Sequence, residues 1–146
     1  MAACTFFGHR EGVGIQTEVL RAAIEDLIGR GVDTFFVGNH GDFDWAVFCC
    51  LKELQKTYPR IRYAVVFAYL PGRRQEYDPY EGCHIYPEGL ELALPKFAIE
   101  ARNKWMIDQS DYCLCYVSHT WGNAWKFAGR AKRQGLTVIN LGNSPL

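Results

Sequence analysis

The chain has 146 residues, of which 49% are hydrophobic and 22% are charged. This composition is typical of a globular domain and excludes a disordered, collagen-like or coiled-coil chain. The 16 basic and 16 acidic side chains cancel, so no overall field attracts nucleic acid or an anionic membrane. We therefore expect one domain over residues 1–146.

The amino-terminal segment and the cysteines predict a cytoplasmic protein. No basic segment precedes an apolar run, and no stretch approaches about 18 consecutive apolar residues, so we expect neither export nor a membrane span. Cys49 and Cys50 are adjacent, and Cys113 and Cys115 stand two residues apart in an apolar run. These positions predict buried thiols on a helix and a strand. The absence of a CxxC pair argues against a zinc site built from thiolates.

Strand and helix signals alternate along the chain. Glycines punctuate the early elements, and the third strand is almost continuously apolar, which indicates burial on both faces as in a parallel sheet. Residues 69–94 lack a clear pattern, and loops of this length are usually functional or mobile. The predicted elements are strands at residues 3–7, 33–37, 61–67, 111–117 and 136–141, a candidate short strand at 84–86, and helices at 18–30, from about Trp45 to before Tyr58, at 95–109 and at 121–134.

This order predicts an α/β fold, a Rossmann-like three-layer α/β/α sandwich whose mostly parallel sheet has about five or six strands. Such sheets bind ligands beyond the carboxyl ends of their strands. Three loops there carry glycines, small polar groups, an arginine and histidines, at residues 8–14, 38–45 and 118–123. Glycine permits close backbone approach and helix N-termini favour anions, so these loops suit a nucleotide or sugar phosphate.

Neither of two common phosphate motifs is present. No G-x-G-x-x-G follows the first strand and no G-x-x-x-x-G-K-[ST] occurs, so neither a standard NAD site nor a Walker ATPase is supported. Glycines at strand-to-helix turns also occur for steric reasons alone, which leaves a purely structural role open for each loop.

The chain resembles the SLOG superfamily, the Rossmann-like group that includes Smf/DprA-type proteins and the lonely-guy phosphoribohydrolases, and within it small bacterial and phage SLOG proteins. The resemblance spans nearly the whole chain and implies binding of nucleotides or derivatives such as ADP-ribose. The matching segments are Gly8-His9-Arg10, residues 38–46, residues 102–108 with Ser110-Asp111, and Trp121-Gly122-Asn123-Ala124.

One departure from the family pattern concerns catalysis. The phosphoribohydrolases carry a P-G-G-x-G-T-x-x-E turn whose glutamate works with an upstream arginine, and Arg102 matches that arginine. Trp125 stands near the place of the glutamate. An indole cannot replace a carboxylate that activates water or stabilises an oxocarbenium-like transition state. The resemblance therefore implies binding more strongly than hydrolysis.

Several candidate residues have competing interpretations. His9, His40 and His119 follow different strands and could form a base or a metal site with Asp42 or Asp44, but no ligand spacing supports a metal. Asp44 could cap its helix or bind ribose. Arg102 could bind phosphate or pair with Glu100 or Asp108, and its six-residue separation from Asp108 places the two on different helix faces. The catalytic candidates are Arg102, Asp44 and His40, and the ligand-binding candidates are Gly8, His9, Arg10, Gly38, Asn39, His40, Gly41, Asp44, Arg102, Asn103, Thr120, Trp121, Gly122 and Asn123.

The long segment at residues 69–94 offers a further candidate. Arg73, Arg74, Tyr77, Tyr80 and Tyr86 could form a lid that stacks a base and neutralises phosphate, or else a solvated loop or an oligomer contact. Interleaved basic and aromatic residues also suit single-stranded nucleic acid, but the neutral net charge argues against it.

The leading hypothesis is a nucleotide-binding sensor, sequestering protein or accessory factor, with no metal or cofactor expected and a homo-oligomer allowed. An N-glycosidase or nucleotide hydrolase that uses Arg102 with Asp42, Asp44 or a histidine is the second hypothesis. A partner-binding module with a vestigial pocket is the third.

Overall fold

The computed structural model describes residues 2–10, 15–69 and 83–146, with no account of the side chain of Glu91, and every structural statement below refers to this part of the chain. The described elements follow the predicted order of strands and helices. They are β1 (Ala2–Gly8), α1 (Thr17–Gly29), β2 (Val32–Val37), α2 (Asp42–Thr57), β3 (Arg62–Val66), β4 (His84–Ile85), α3 (Ala98–Asp108), β5 (Tyr112–Tyr116), α4 (Gly122–Arg133) and β6 (Thr137–Asn140), with 3₁₀ turns at Leu90–Leu92 and Pro95–Phe97.

The sheet has six strands in the order β4-β3-β2-β1-β5-β6, and every described pairing is parallel. The prediction of a Rossmann-like α/β fold is thus confirmed. β1 lies at the centre, with β2 to β4 on one side and β5 and β6 on the other. The strand order reverses between β1 and β5, and in open parallel sheets this reversal opens a crevice at the carboxyl ends of the strands.

Two apolar clusters cover the two faces of the sheet. One joins α1 and α2 to the sheet through side chains such as Leu20 and Ile24 in α1 and Leu51 in α2. The other joins α3 and α4 to the opposite face through side chains such as Met106 and Phe127. The molecule therefore has three layers, with the sheet between two pairs of helices.

The cysteine predictions hold with one exception. Cys50, Cys113 and Cys115 are buried free thiols, as predicted. Cys49 is exposed, so its predicted burial is wrong. The reason is helical geometry, because adjacent residues of α2 point about 100° apart and only Cys50 faces the core.

The predicted helix at residues 95–109 begins differently from the expectation. Pro95 starts a 3₁₀ turn at Pro95–Phe97, and the α-helix begins only at Ala98. The preceding segment contains β4 and the 3₁₀ turn at Leu90–Leu92, and Tyr86 packs against the apolar core. The candidate lid residues Arg73, Arg74, Tyr77 and Tyr80 lie outside the described residues.

No described helix is both long enough and apolar enough to cross a bilayer.

Close packing joins the end of β1 to the start of α2. A Cβ atom at Gly8 would overlap the ring of Phe43, which is buried in the first turn of α2. The backbone N–H of Asp42 also donates to the carbonyl oxygen of Arg10 over 2.9 Å. Glycine at position 8 therefore allows two strand-end loops to meet.

We expect Gly8→Ala to lower the free energy of unfolding by about 1–3 kcal/mol, because the added methyl group must displace the Phe43 ring. Gly29→Ala is the matched control, since a Cβ atom there meets no atom within 4 Å. The control should leave stability unchanged or raise it by up to about 1 kcal/mol. Urea denaturation measures both, and equal stability of the two variants would contradict the packing described.

Candidate functional site

A cavity of about 520 Å³ opens at the carboxyl edge of the sheet, where the strand order reverses. Its volume falls within the range of about 300–1,000 Å³ that is usual for small-molecule sites. Residues from the end of β1, the β2–α2 loop, α3 and the β5–α4 loop form its walls. They are Phe6, Phe7, Gly8, His9, Arg10, His40, Asp44, Ile99, Arg102, Asn103, Met106, Tyr116, Ser118, His119, Trp121, Gly122, Asn123 and Ala124.

Most of the predicted ligand-binding residues lie in these walls. The exceptions are Gly38, Asn39, Gly41 and Thr120, which do not line the cavity. Three of these four residues support side chains that line the cavity. Gly38 and Asn39 contact Arg102, and Gly41 packs against Arg10. The structure therefore brings together the loops that the sequence singled out.

Arg102 is the central charged group of the site. Only 3% of the residue is exposed, so its guanidinium group needs partners within the protein. Its Nε donates to Asn103 Oδ1 over 2.7 Å, and its Nη1 donates to the Val66 carbonyl over 3.0 Å and to Asn39 Oδ1 over 3.3 Å. These partners come from α3, the end of β3 and the β2–α2 loop.

The contact between Arg102 and His40 determines the state of the imidazole. Arg102 Nη2 lies 3.3 Å from His40 Nδ1, and a guanidinium group can only donate, so Nδ1 accepts and the ring proton is on Nε2. Burial, with the positive charges of Arg102 and Arg10, lowers the pKa of His40 to about 4. His40 is therefore neutral at pH 7.

Asp44 is a buried carboxyl group in the first turn of α2, where the sequence predicted it. Its Oδ2 accepts the backbone N–H of His40 over 3.0 Å, just before the helix begins. Burial raises the pKa of Asp44 to about 6, although Arg102, the His40 hydrogen bond and Arg10 act in the opposite direction. Asp44 thus lies close to its titration point near neutral pH and lines the cavity.

Gly38 leaves room for the charged groups beside it. A Cβ atom at this position would lie 2.8 Å from Asp44 Oδ2 and 2.9 Å from Arg102 Nη1. Both distances are shorter than ordinary contacts of a methyl carbon, so any side chain would displace one of the two groups. This glycine has a specific steric role in the site.

The predicted ion pairs of Arg102 are absent from the described part of the chain. Glu100 instead lies 3.4 Å from Lys126 Nζ, and Asp108 accepts a hydrogen bond of 2.8 Å from Gln134. Arg102 and Asp108 lie on different faces of α3, as their spacing predicted. The alternative in which Arg102 pairs with Glu100 or Asp108 is therefore wrong, since its guanidinium group instead donates to the Val66 carbonyl at the end of β3.

Three aromatic rings form a continuous stack in another wall of the cavity. The centroids of His9 and His119 are 3.6 Å apart, and those of His119 and Trp121 are 3.8 Å apart. The Ser118 N–H donates to His9 Nε2 over 2.9 Å, and His119 Nδ1 donates to the Trp121 carbonyl over 3.0 Å. Burial and the nearby His119 lower the pKa of His9. His9 is therefore neutral at pH 7, as its role as an acceptor requires.

The three histidines line one cavity but do not form one cluster, since His40 contacts Arg102 while His9 and His119 stack. Within residues 2–10, 15–69 and 83–146, no three histidine, cysteine or acidic side chains converge as a metal site would require. The Arg10 side chain is exposed and has no hydrogen bond or ion pair with the described residues. It therefore supplies an accessible positive charge.

Sequence reasoning missed the apolar part of the cavity. Phe6, Phe7, Ile99, Met106 and Ala124 carry no distinctive signal, because apolar side chains in strands and helices indicate only a core. Tyr116 could have been found, since it ends β5, whereas Ser118 belongs to the loop at residues 118–123 that the sequence already singled out.

Comparison with known proteins adds no identification. Neither the models of known protein families nor the curated proteins include one that matches this chain. The resemblance to the SLOG superfamily thus stays a prediction from sequence motifs.

The raised pKa of Asp44 predicts a pH-dependent stability difference between the wild type and Asp44→Asn. The unfolded carboxyl has a pKa near 3.9, so ionisation destabilises the folded wild type as the pH rises from about 4 through about 6. The neutral amide does not titrate. Between pH 4 and pH 7.5, we expect the free energy of unfolding of the variant to rise by up to about 3 kcal/mol relative to that of the wild type.

Urea denaturation of both proteins across this pH range measures the difference between their free energies of unfolding. His40 has the opposite effect, because its lowered pKa removes stability as the pH falls from about 6.5 through about 4. Because both proteins contain His40, its contribution cancels to a first approximation when their free energies of unfolding are subtracted. A difference that stays constant with pH would contradict the raised pKa of Asp44.

Proposed function

We propose that the protein binds a nucleotide or a nucleotide derivative, such as a nucleoside phosphate or an ADP-ribose-like molecule. The observation that carries this proposal is the arrangement of one cavity, which combines Arg10 and Arg102 with an aromatic stack at the strand-order reversal. Phosphate needs cationic donors, and a base needs an aromatic or apolar surface.

Arg102 and Arg10 have donor capacity for a phosphate group. A guanidinium group has five N–H donors. Among the described residues, the contacts of Arg102 with Asn103, Val66, Asn39 and His40 use four of them, which leaves one hydrogen on Nη2. Arg10 adds a second guanidinium group at the cavity wall. Together they favour an anionic ligand.

The start of α4 adds to this preference. Its first residues Gly122, Asn123 and Ala124 line the cavity, and no described side chain caps the N-terminus of the helix. Unpaired amide N–H groups at a helix N-terminus attract anions. This helix therefore supports the charge preference that the two arginines establish.

In the function proposed here, the protein is a sensor, a sequestering protein or an accessory factor that holds its ligand intact. The motif resemblance to SLOG proteins supports this role. The missing glutamate also supports it, because exposed Trp125 stands near the corresponding position and does not line the cavity.

A second candidate function is nucleotide hydrolysis or N-glycoside cleavage. The specific observation in its favour is Asp44, whose buried carboxyl lines the cavity and has a pKa of about 6. A carboxyl group that titrates near the working pH can transfer protons efficiently. Recovery of a cleaved ligand would favour this function over simple binding.

A thermal-shift screen tests the proposal with nucleoside mono-, di- and triphosphates, NAD and ADP-ribose, followed by mass analysis of the recovered ligand. Binding raises the unfolding midpoint by mass action. We expect Arg10→Ala to weaken binding by about 10-fold or more, because it removes charge-assisted hydrogen bonds. Arg10 is exposed, so this variant should fold normally.

Arg60→Ala is the matched control, because Arg60 is also exposed but precedes β3 at the opposite edge of the sheet. It should bind as the wild type does. No shift with any of these ligands would contradict the proposal and favour a partner-binding module. Equal losses in both variants would show that the effect of Arg10 is not local.

A further inference from the structure

The aromatic stack ends in an uncovered ring. His9 and His119 lie nearly parallel, with 18° between their planes, and His119 and Trp121 make an angle of 16°. Trp121 is the outermost ring and 68% of the residue is exposed. A large apolar ring that lines a cavity and remains this exposed offers a surface to a planar group.

The stack is held in place before any ligand binds. The hydrogen bond from Ser118 N–H to His9 joins the β5–α4 loop to the end of β1. The hydrogen bond from His119 to the backbone carbonyl of Trp121 holds the middle ring of the stack within the same loop. Two of the three rings are therefore ordered before a ligand binds, which lowers the conformational entropy lost on binding.

The chemistry of the stack distinguishes a base from a sugar. π-stacking between parallel rings requires a flat π-face, which every nucleobase has and a ribose lacks. The ring surface presents little polar functionality, so stacking alone discriminates weakly among bases. The two arginines of the site, Arg10 and Arg102, also line the cavity and suit the phosphate.

We propose that Trp121, backed by His119 and His9, is the surface on which the heteroaromatic base of the ligand stacks, so that the site takes nucleoside phosphates in preference to sugar phosphates. This inference rests on the proposed function. It adds a base subsite formed by Trp121, and it adds discrimination against sugar phosphates.

Titration calorimetry with AMP, GMP, CMP, UMP and ribose 5-phosphate tests the inference. For the tightest-binding nucleotide, we expect Trp121→Ala to weaken binding by about 5- to 150-fold and Trp121→Phe to retain most of the affinity. Trp125→Ala is the matched control, since Trp125 belongs to the helix that follows Trp121 but does not line the cavity. Ribose 5-phosphate should bind the wild type more weakly and be insensitive to Trp121→Ala.

Tryptophan fluorescence gives a second readout that a merely structural role would not change. A base stacked on Trp121 should quench the emission of the wild type and of Trp125→Phe, but not that of Trp121→Phe. Unchanged nucleotide affinity in Trp121→Ala, with quenching retained in Trp121→Phe, would overturn the base subsite and leave the proposed function intact. Failure of every nucleotide to bind the wild type would overturn both.

Discussion

The guanidinium group of Arg102 is a buried positive charge, and the architecture of the sheet edge depends on the hydrogen-bond acceptors that stabilise this charge. A buried charge without partners is strongly unfavourable, so the fold must supply acceptors from several directions. Asn103 lies on the same helix, Val66 ends β3, and Asn39 and His40 follow β2. These contacts draw α3 and two strand ends together around one side chain.

The surrounding residues follow from that constraint. Gly38 leaves space where a Cβ atom would meet both Arg102 and Asp44. His40 accepts from Arg102 and is neutral, while its backbone N–H donates to Asp44. Arg10 adds an exposed positive charge at the same cavity. The site therefore combines a fixed buried cation and an accessible cation, which suit the anionic ligand of the proposed function, with a carboxyl group whose pKa is about 6.

The fold could be predicted because its signals are local and repeated, whereas the site could be predicted only in outline. Buried strands alternate with helices of clear apolar periodicity, so the layers and the position of the site follow from general rules. Pro95 misled the prediction because its fixed φ suits the first turn of a 3₁₀ helix as well as that of an α-helix. The partners of Arg102 lie up to 63 residues away in sequence, and the stack joins His9 to His119. Such contacts depend on tertiary structure, and no local pattern specifies them.

A crystal structure of the protein with ADP-ribose or its tightest-binding nucleotide tests the central claim most directly. We expect a phosphate oxygen within hydrogen-bond distance of both Arg10 and Arg102, and the base lying against Trp121. A nucleotide bound away from the cavity, or bound inside it with its phosphate remote from both arginines, would contradict the proposed function.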